Sequence, residues 1–396
     1  MRVLVLPSHV GLGHVARDLA IVRYLRRRVP GVTVEWCSAE PVIGYLRLWG
    51  ERVIDCGLES FSSVIEGLFN GNIGFLGLGK HLGILERNYS RMKAVLDFDK
   101  YDLVFADEFW ELLYAAPRRI RDRVVFGTDF VYKPYEINIL QSLLSLILNK
   151  YFKENLLSFN KIVYLNSLDE TPDKQWFLII GGSVRRWVAE NMYVAGLTTS
   201  YAPGDPLPSR SEARRRLGLG EDDILIVVSV GGTSARSRHL IEKIVNAYHV
   251  VSERLDGKSK MIVVAGPRTK IDADSEDIRV LRMMRSLWDL YVGADLFITR
   301  AGRTTTADIE CLEEPSPTIL VPIKGHFEQQ FIAKNLIEKK PEIFMLAREE
   351  ESPGSIANKI VEVLRGKRRP VNTDRRDCYG VQRTVYCLEK RLYRRG

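Results

Sequence analysis

The chain has 396 residues, 45% of them hydrophobic and 27% charged, with a formal net charge of +8. That is ordinary globular composition, and the length favours two domains over one. No apolar run is long and clean enough to predict a bilayer span, and the first apolar stretch is a short strand ending at Pro7, so no signal peptide is expected. The five cysteines (Cys37, Cys56, Cys311, Cys378 and Cys387) form no C-x-x-C pair and read as reduced thiols of a cytoplasmic protein, outside any disulfide framework or zinc site. The six histidines are too scattered for a metal centre. Basic residues gather at Arg26–Arg28, at Arg118, Arg119, Arg121 and Arg123, and from Lys367 to Arg395. Such clusters suit a phosphorylated substrate, an anionic membrane or nucleic acid, and equally a solvated Arg-rich surface of a heat-adapted protein.

The first element is a strand, a glycine-rich loop and a helix in "VLVLPSHVGLGHVARDLAIVRYLRR", Val3 to Arg27. Gly11 and Gly13 at this junction let backbone N–H groups approach an anion, and the helix N-terminus adds a favourable field. Gly11-x-Gly13-x-x-Ala16 nearly matches the dinucleotide fingerprint, but "PSHV" separates Leu6 from Gly11. A dinucleotide turn is tighter than that, so the loop suits a wall around a larger substrate. Further strands are predicted at "VTVEW", "RVIDC", "DLVFAD", "RVVFG" and "KIVYLN". Two apolar stretches interrupt the alternation. One, Val64 to Leu85, carries six glycines and is too glycine-rich for a regular helix interior. The other, Ile137 to Leu148, reads as helical. Both suit either contact with lipid or packing on the sheet. "DFD" (Asp97 to Asp99) mimics a D-x-D metal motif but reads as a turn between helix and strand, so no metal site is expected.

Around "GLTTSYAPGDPLPS" the pattern breaks into a Pro/Gly/Ser linker, and Ser209 with Glu212 predicts a capping box opening the next helix. A second series of strands follows: "DILIVVSV", "SKMIVVAG", "DIRVL", "DLFITR" and "PTILVP". Their continuous apolar character fits parallel strands covered on both faces. Three polar clusters come after these strands. "SVGGTSARS" offers backbone N–H groups at Gly231 and Gly232 and hydroxyls at Thr233 and Ser234, an arrangement suited to a diphosphate. "ITRAGRTTTADIE" turns at Gly302 and starts a helix with Thr304, Thr305 and Thr306; its Asp308 can accept two ribose hydroxyls or complement the helix dipole. "VPIKGHFEQQ" brings His326, Glu328, Gln329 and Gln330 together, an acid and amide set for a hydroxyl-rich sugar.

With these residues in view, the chain resembles the GT-B glycosyltransferases of the MurG-like group (glycosyltransferase family 28 type). That group includes the N-acetylglucosaminyltransferase of peptidoglycan synthesis and plant monogalactosyldiacylglycerol synthase. The resemblance runs roughly from Met1 to Leu336 and is closest to members whose first loop reads G-x-G-H-x-x-R, here "GLGHVAR". It implies an α/β fold of two facing Rossmann-like domains with parallel sheets and a cleft between them. The expected divisions are an acceptor-side domain over 1–197, a linker over 198–208, a nucleotide-sugar-binding domain over 209–370, and a helical tail over 371–396 packing back on the first domain.

The resemblance implies an inverting transfer of a hexosyl group from a nucleotide sugar, a UDP-sugar by the family's habit, to an acceptor hydroxyl of a lipid or lipid-linked glycan. No cofactor is implied. Gly232, Thr233 and Ser234 match the family's diphosphate turn, and Met284 falls where the uracil ring is held. Asp308 stands where the family carries a ribose-binding glutamate, and Gln329 and Gln330 match the paired glutamines near the donor sugar. Arg236 and Arg268, beyond strand ends, could assist the diphosphate. On the acceptor side are Gly11, Gly13 and Arg17; Leu12 alone separates the two glycines, where peptidoglycan enzymes carry a richer glycine run, which counts against lipid I as acceptor. His14 matches the family's first-loop histidine and is a candidate base, with Asp107 at the end of "DLVFAD" as its rival; His14 could equally bind phosphate or hold the loop. Partners implied are the nucleotide-sugar donor and the inner face of a membrane, with no nucleic acid, since no recognition motif accompanies the charge. A nucleotide-sugar epimerase and a non-catalytic donor-binding subunit remain as alternatives.

Overall fold

The structure is a computed structural model. It describes residues 1–60, 75–129, 131, 150–173, 183–220, 222–231, 235–255, 258–267, 269–273, 275–366, 371–372, 375 and 377–393. The first part of the chain runs β1 (Arg2–Pro7), α1 (Gly13–Arg28), β2 (Thr33–Trp36), α2 (Val42–Leu48), α3 (Phe75–Val95), β3 (Leu103–Asp107), α4 (Trp110–Tyr114), α5 (Arg118–Arg121), β4 (Val124–Thr128), β5 (Lys161–Tyr164), α6 (Val184–Asn191) and β6 (Tyr193–Val194). It continues α7 (Arg210–Leu217), β7 (Ile224–Ser229), α8 (Ala235–Arg254), β8 (Ser259–Val264), β9 (Ile278–Leu281), α9 (Trp288–Gly293), β10 (Leu296–Thr299), α10 (Arg303–Glu310), β11 (Thr318–Leu320), α11 (Phe327–Lys339), β12 (Phe344–Leu346), α12 (Pro353–Gly366) and α13 (Gly380–Tyr393). The chain divides into two units, residues 1–203 with 376–396, and residues 204–375.

The first unit holds a six-stranded sheet in the order β2-β1-β3-β4-β5-β6, every pair parallel. Leu4 and Leu6 of β1, Val104 and Ala106 of β3 and Phe126 of β4 point into one core with Phe109, Leu112 and Leu156. Burying each such side chain contributes about 1.5–3 kcal/mol relative to leaving it in water. The tail returns to this unit: Arg28, at the end of α1, donates to Glu389 of α13 through Nε at 2.9 Å. Gly380 opens α13 with its amide donating to the Leu197 carbonyl, and a Cβ there would stand 2.3 Å from that oxygen, so only glycine fits.

The second unit holds another six-stranded sheet, β12-β11-β10-β7-β8-β9, again parallel throughout. Leu225, Ile226, Val227 and Val228 of β7 are fully buried on both faces, as expected of a parallel sheet covered by crossover helices. One face is covered by α8 and α12. Leu240, Ile244 and Val251 make the inner stripe of α8, and Ile356, Ile360 and Val363 that of α12, both at helical spacing. Ser209 caps α7, its Oγ accepting from the Glu212 amide at 3.3 Å.

Three expectations need correcting, and two short edge strands escaped the sequence reading. "RVIDC" is no strand but one bridge, Val53 to Trp36, because Gly50 (φ 73°) and Gly57 (φ 61°) bend the backbone on both sides. The glycine-rich stretch becomes helical from Phe75 onward; Leu85, Tyr89 and Met92 bury one face of α3, and that outweighs about 1 kcal/mol per interior glycine. The edge strands β6 and β12, with 2 and 3 residues, are too short to show as periodic segments. Cys37, Cys56 and Cys387 are free, whereas Cys311 and Cys378 are disulfide-bonded, which no C-x-x-C spacing signalled. "DFD" does form a turn, with the Asp97 side chain accepting from the Asp99 amide. The rest of the glycine-rich stretch and all of 137–148 lie outside the described residues. Among the described residues no helix is long and apolar enough to cross a membrane.

Candidate functional site

In an open parallel sheet, ligands bind beyond the carboxyl ends of the strands where the strand order reverses. In the first sheet the chain runs from β1 to β2 and then starts afresh on the other side of β1 with β3. The crevice therefore lies between the ends of β1 and β3, where Pro7 is paired with Asp107. In the second sheet the reversal falls between β7 and β10, where Ser229 is paired with Thr299.

At the first reversal the loop after β1 turns at Gly11 (φ 82°) and delivers His14 in the first turn of α1. No side chain caps α1 and no acidic residue sits in its first turn, so its N-terminal N–H groups remain available to an anion. His14 Nδ1 lies 3.3 Å from Asp107 Oδ2. Arg17, one turn further on, is only 1% exposed and forks Asp107: Nε donates to Oδ2 at 2.7 Å and Nη2 to Oδ1 at 2.6 Å. Its Nη1 donates to Asp129, and Nη2 also lies 2.9 Å from His14 Nδ1. Arg17 thus holds the site's carboxylates from inside, with no open face turned to an acceptor.

Sequence reasoning missed two carboxylates here, Glu108 and Asp129, which follow the ends of β3 and β4. The signal was an acidic residue just past an apolar strand, as in "FADE" and "GTD". Glu108 has a backbone φ of 45°, in the left-handed region that glycine favours. Its Oε1 accepts from Thr128 Oγ1 at 2.8 Å and from the Asp129 amide at 3.0 Å, while Oε2 stands 3.9 Å from His14 Nε2.

Charges in this cluster pull against one another. Burial would raise Asp107, but Arg17 and His14 overcome it and hold the carboxyl well below its ordinary range, so Asp107 is a poor proton acceptor. Burial would lower His14, yet Asp107 and Glu108, opposed by Arg17, leave the imidazole raised. Burial, with Asp129 beside it, pushes Glu108 up to about 8. Asp18, fully buried on α1, is pushed well up by burial and by Asp107. A separate buried pair sits nearby: His9 Nε2 is 3.6 Å from Glu111 Oε1, which accepts from Asn88 Nδ2 at 2.8 Å. Burial raises Glu111 to about 7.

At the second reversal three neighbouring strand ends carry the three polar clusters. β10 lies between β7 and β11, with Thr299 paired to both Ser229 and Leu320. Gly231 (φ 73°) opens the first turn, exposed, and a Cβ there would meet nothing within 4 Å. Gly302 is the N-cap of α10, which has no side-chain cap and no acid in its first turn. Thr304 and Asp308 share one face of α10, and both are buried, Asp308 to 1% exposure. The i, i+4 spacing places Asp308 one turn beyond Thr304 on the same side of α10.

His326 caps α11, Nδ1 accepting from the Gln329 amide at 3.4 Å. Gln329 Oε1 accepts from the Ile323 amide at 3.0 Å, which fixes the amide group, and Gln330 is exposed. Met284 is half-buried after β9. Gly232, Thr233, Ser234 and Arg268 lie outside the described residues. Among the described residues no group of His, Cys, Asp and Glu could hold a metal ion.

Comparison with known proteins matches residues 225–384 to the Glycosyltransferase family 28 C-terminal domain. The chain is 26% identical over 166 residues to the UDP-N-acetylglucosamine–N-acetylmuramyl-(pentapeptide) pyrophosphoryl-undecaprenol N-acetylglucosamine transferase of Carboxydothermus hydrogenoformans, covering 40% of this chain and 44% of that protein. It is 27% identical over 160 residues to an uncharacterized glycosyltransferase of Methanopyrus kandleri, with the same shares of 40% and 44%. The chain thus spans less than half the length of these curated relatives. Among solved structures, the calicheamicin glycosyltransferase CalG4 matches with a TM-score of 0.60 at 16% identity, over 100% of this chain and 99% of that one. Acinetobacter baumannii MurG matches with a TM-score of 0.54 at 16% identity, over 98% and 99%. The fold is therefore the two-sheet GT-B fold of glycosyltransferases, and residues 225–384 match the family 28 C-terminal domain.

Proposed function

We propose that the chain is an inverting glycosyltransferase that moves a sugar from a uridine diphosphate donor to an acceptor hydroxyl, with His14 as general base. The observation that carries this reading is the His14–Asp107 pair at the reversal of the first sheet, 3.3 Å apart at Nδ1 and Oδ2. With Nδ1–H donating to Asp107, Nε2 carries the lone pair that takes a proton. The acceptor oxygen then forms its bond to the anomeric carbon as the bond to the diphosphate breaks, and the acceptor's proton passes to Nε2. Asp107 steadies the imidazolium; pinned by Arg17, it does not compete for the proton.

The departing diphosphate needs donors already in place. In the second unit the open turn at Gly231 and the uncapped N-terminus of α10 supply backbone N–H groups for it. The diphosphate and sugar contacts by Gly232, Thr233, Ser234 and Arg268, the uracil site at Met284 and the amides of Gln329 and Gln330 belong to the same proposal. So does the acceptor, a lipid or lipid-linked sugar at the inner face of a membrane. The name of the Carboxydothermus relative, with its pyrophosphoryl-undecaprenol, and the basic surface both support that class.

The test is to follow UDP release from a panel of UDP-sugars with lipid-linked and soluble acceptors, and to identify the product. A glycosidic product with wild type and none with His14→Ala supports the reading. A free or epimerised sugar replaces it with an epimerase. UDP-sugar binding without turnover under any acceptor replaces it with a donor-binding subunit.

A further inference from the structure

One feature of the first-unit site is left unused by that reading: a second carboxylate on the other edge of the histidine. His14 Nδ1 has two neighbours, Arg17 Nη2 at 2.9 Å and Asp107 Oδ2 at 3.3 Å. A guanidinium only donates and an ionised carboxylate only accepts. If Arg17 donates to Nδ1, neutral His14 carries its proton on Nε2, which then points to Glu108 Oε2. If instead Nδ1–H donates to Asp107, Nε2 is bare and meets a Glu108 carboxyl that carries the proton. In both arrangements Nε2 and Oε2, 3.9 Å apart, carry one proton between the two groups.

We propose that His14 and Glu108 titrate as one pair that carries a single proton, on Nε2 or on Oε2, and that His14 can accept a proton from the acceptor only after this one has left. The inference rests on the transferase reading for its catalytic meaning. Glu108 is then a positioning residue, and its geometry is specified from two sides. Its Oε1 is fixed by the Thr128 hydroxyl and the Asp129 amide. Its backbone sits at φ 45°, a conformation that costs a non-glycine residue free energy and aims the side chain from the end of β3. At 3.9 Å Nε2 and Oε2 stand beyond hydrogen-bond reach yet close enough for the protonation of one group to shift the titration of the other.

The groups facing the pair are Arg17 on α1, Asp107 at the end of β3, and Thr128 and Asp129 at the end of β4, with Asp18 behind them against Arg17 and Asp107. Asp107 draws a proton toward His14, Arg17 repels it, and Asp129 makes ionisation of Glu108 harder. Burial keeps Glu108 protonated to about pH 8, so the shared proton persists through neutral pH. During turnover the bonds balance. The O–H bond of the acceptor breaks and an Nε2–H bond forms beside the Glu108 carboxylate, which restores the one-proton pair. That proton must leave to solvent before the next cycle. Two such coupled groups titrate as a unit, and the upper step is the one that arms the site.

The experiment follows the ring nitrogens of His14 by NMR in the full-length, ligand-free protein labelled at histidine nitrogen and glutamate carboxyl carbon, from pH 5 to 10. His14→Gln identifies the histidine signal. The expected wild-type result is loss of the Nε2 proton in a step shared with the Glu108 carboxyl, at or above about pH 8. In Glu108→Gln the histidine step moves down by about one pH unit or more, a tenfold change in proton affinity. Glu108→Gly, which takes the positive φ without strain, gives the same shift should the glutamine variant not fold. Identical histidine titrations in wild type and either variant, or a Glu108 carboxyl that titrates independently, overturn the proposal. Because no substrate is present, the result stands apart from the transferase assay. In that assay, the rise of kcat/KM with pH moves down with the histidine step in Glu108→Gln.

Discussion

The two strand-end sites solve different problems with different materials. The first unit surrounds His14 with ionisable groups, most of them buried: Arg17, Asp18, Asp107, Glu108 and Asp129. The second unit presents an exposed glycine, an uncapped helix and amide side chains, with the carboxylate of Asp308 buried on that helix. A site that must move a proton needs a group whose proton affinity is tuned by its neighbours. A site that takes an anion already formed needs only fixed donors, which backbone N–H groups supply without titrating. The contrast teaches where each site is vulnerable: the first to changes of charge, the second to changes of backbone shape.

The largest expected effect is on His14. His14→Ala should lower turnover by roughly 10²–10⁴-fold, the usual worth of a general base, as measured by UDP release. Next is Arg17. Arg17→Ala leaves Asp107 and Asp129 buried without their cation, and removing one partner of a buried pair costs about 3–5 kcal/mol. Thermal denaturation should show a large drop in midpoint, and an unchanged midpoint would break the picture of Arg17 as an internal tie.

In the second unit a charge change has no counterpart, so backbone substitutions are the sharper probe. Gly231→Ala places a side chain at φ 73°, costing roughly 1–2 kcal/mol, and should weaken UDP binding by about fivefold or more in calorimetry. Gly302→Ala is the control, since its φ of −82° and ψ of 136° suit any residue and no atom lies within 4 Å of a Cβ. It should change stability and UDP affinity little.

A smaller effect separates two of the first unit's buried glutamates, Glu108 and Glu111, from ordinary surface acids. Glu111 keeps its proton to about pH 7 in the fold, whereas an unfolded glutamate ionises near pH 4.3. The folded state therefore binds the extra proton between those values, and stability falls as pH rises through that window. Glu111→Gln should flatten this slope, read as a melting midpoint that exceeds wild type at pH 8 and converges with it toward pH 4.

Much of the fold was legible because its central strands are apolar throughout: "ILIVVS", "MIVV" and "LVFA" announce parallel strands covered on both faces. The edges were not, since β6 and β12 consist of 2 and 3 residues, and Val53 contributes a single bridge. His14 and Asp107 were recognisable from a glycine loop and from a strand-end acid. Glu108 was not, because nothing in "ADEF" says that the backbone there turns to φ 45°. Arg17 looked like a loop residue for a ligand; only the helix turn that stacks it over Asp107 reveals its internal role.

The central claim is that proton handling belongs to the first unit and donor binding to the second. The most direct test measures UDP affinity by calorimetry and turnover by UDP release on the same preparation of His14→Ala. The account predicts UDP binding within about twofold of wild type together with turnover reduced at least a hundredfold. Loss of UDP affinity in step with turnover would contradict it, making His14 a phosphate ligand, and turnover at the wild-type rate would remove His14 from the chemistry altogether.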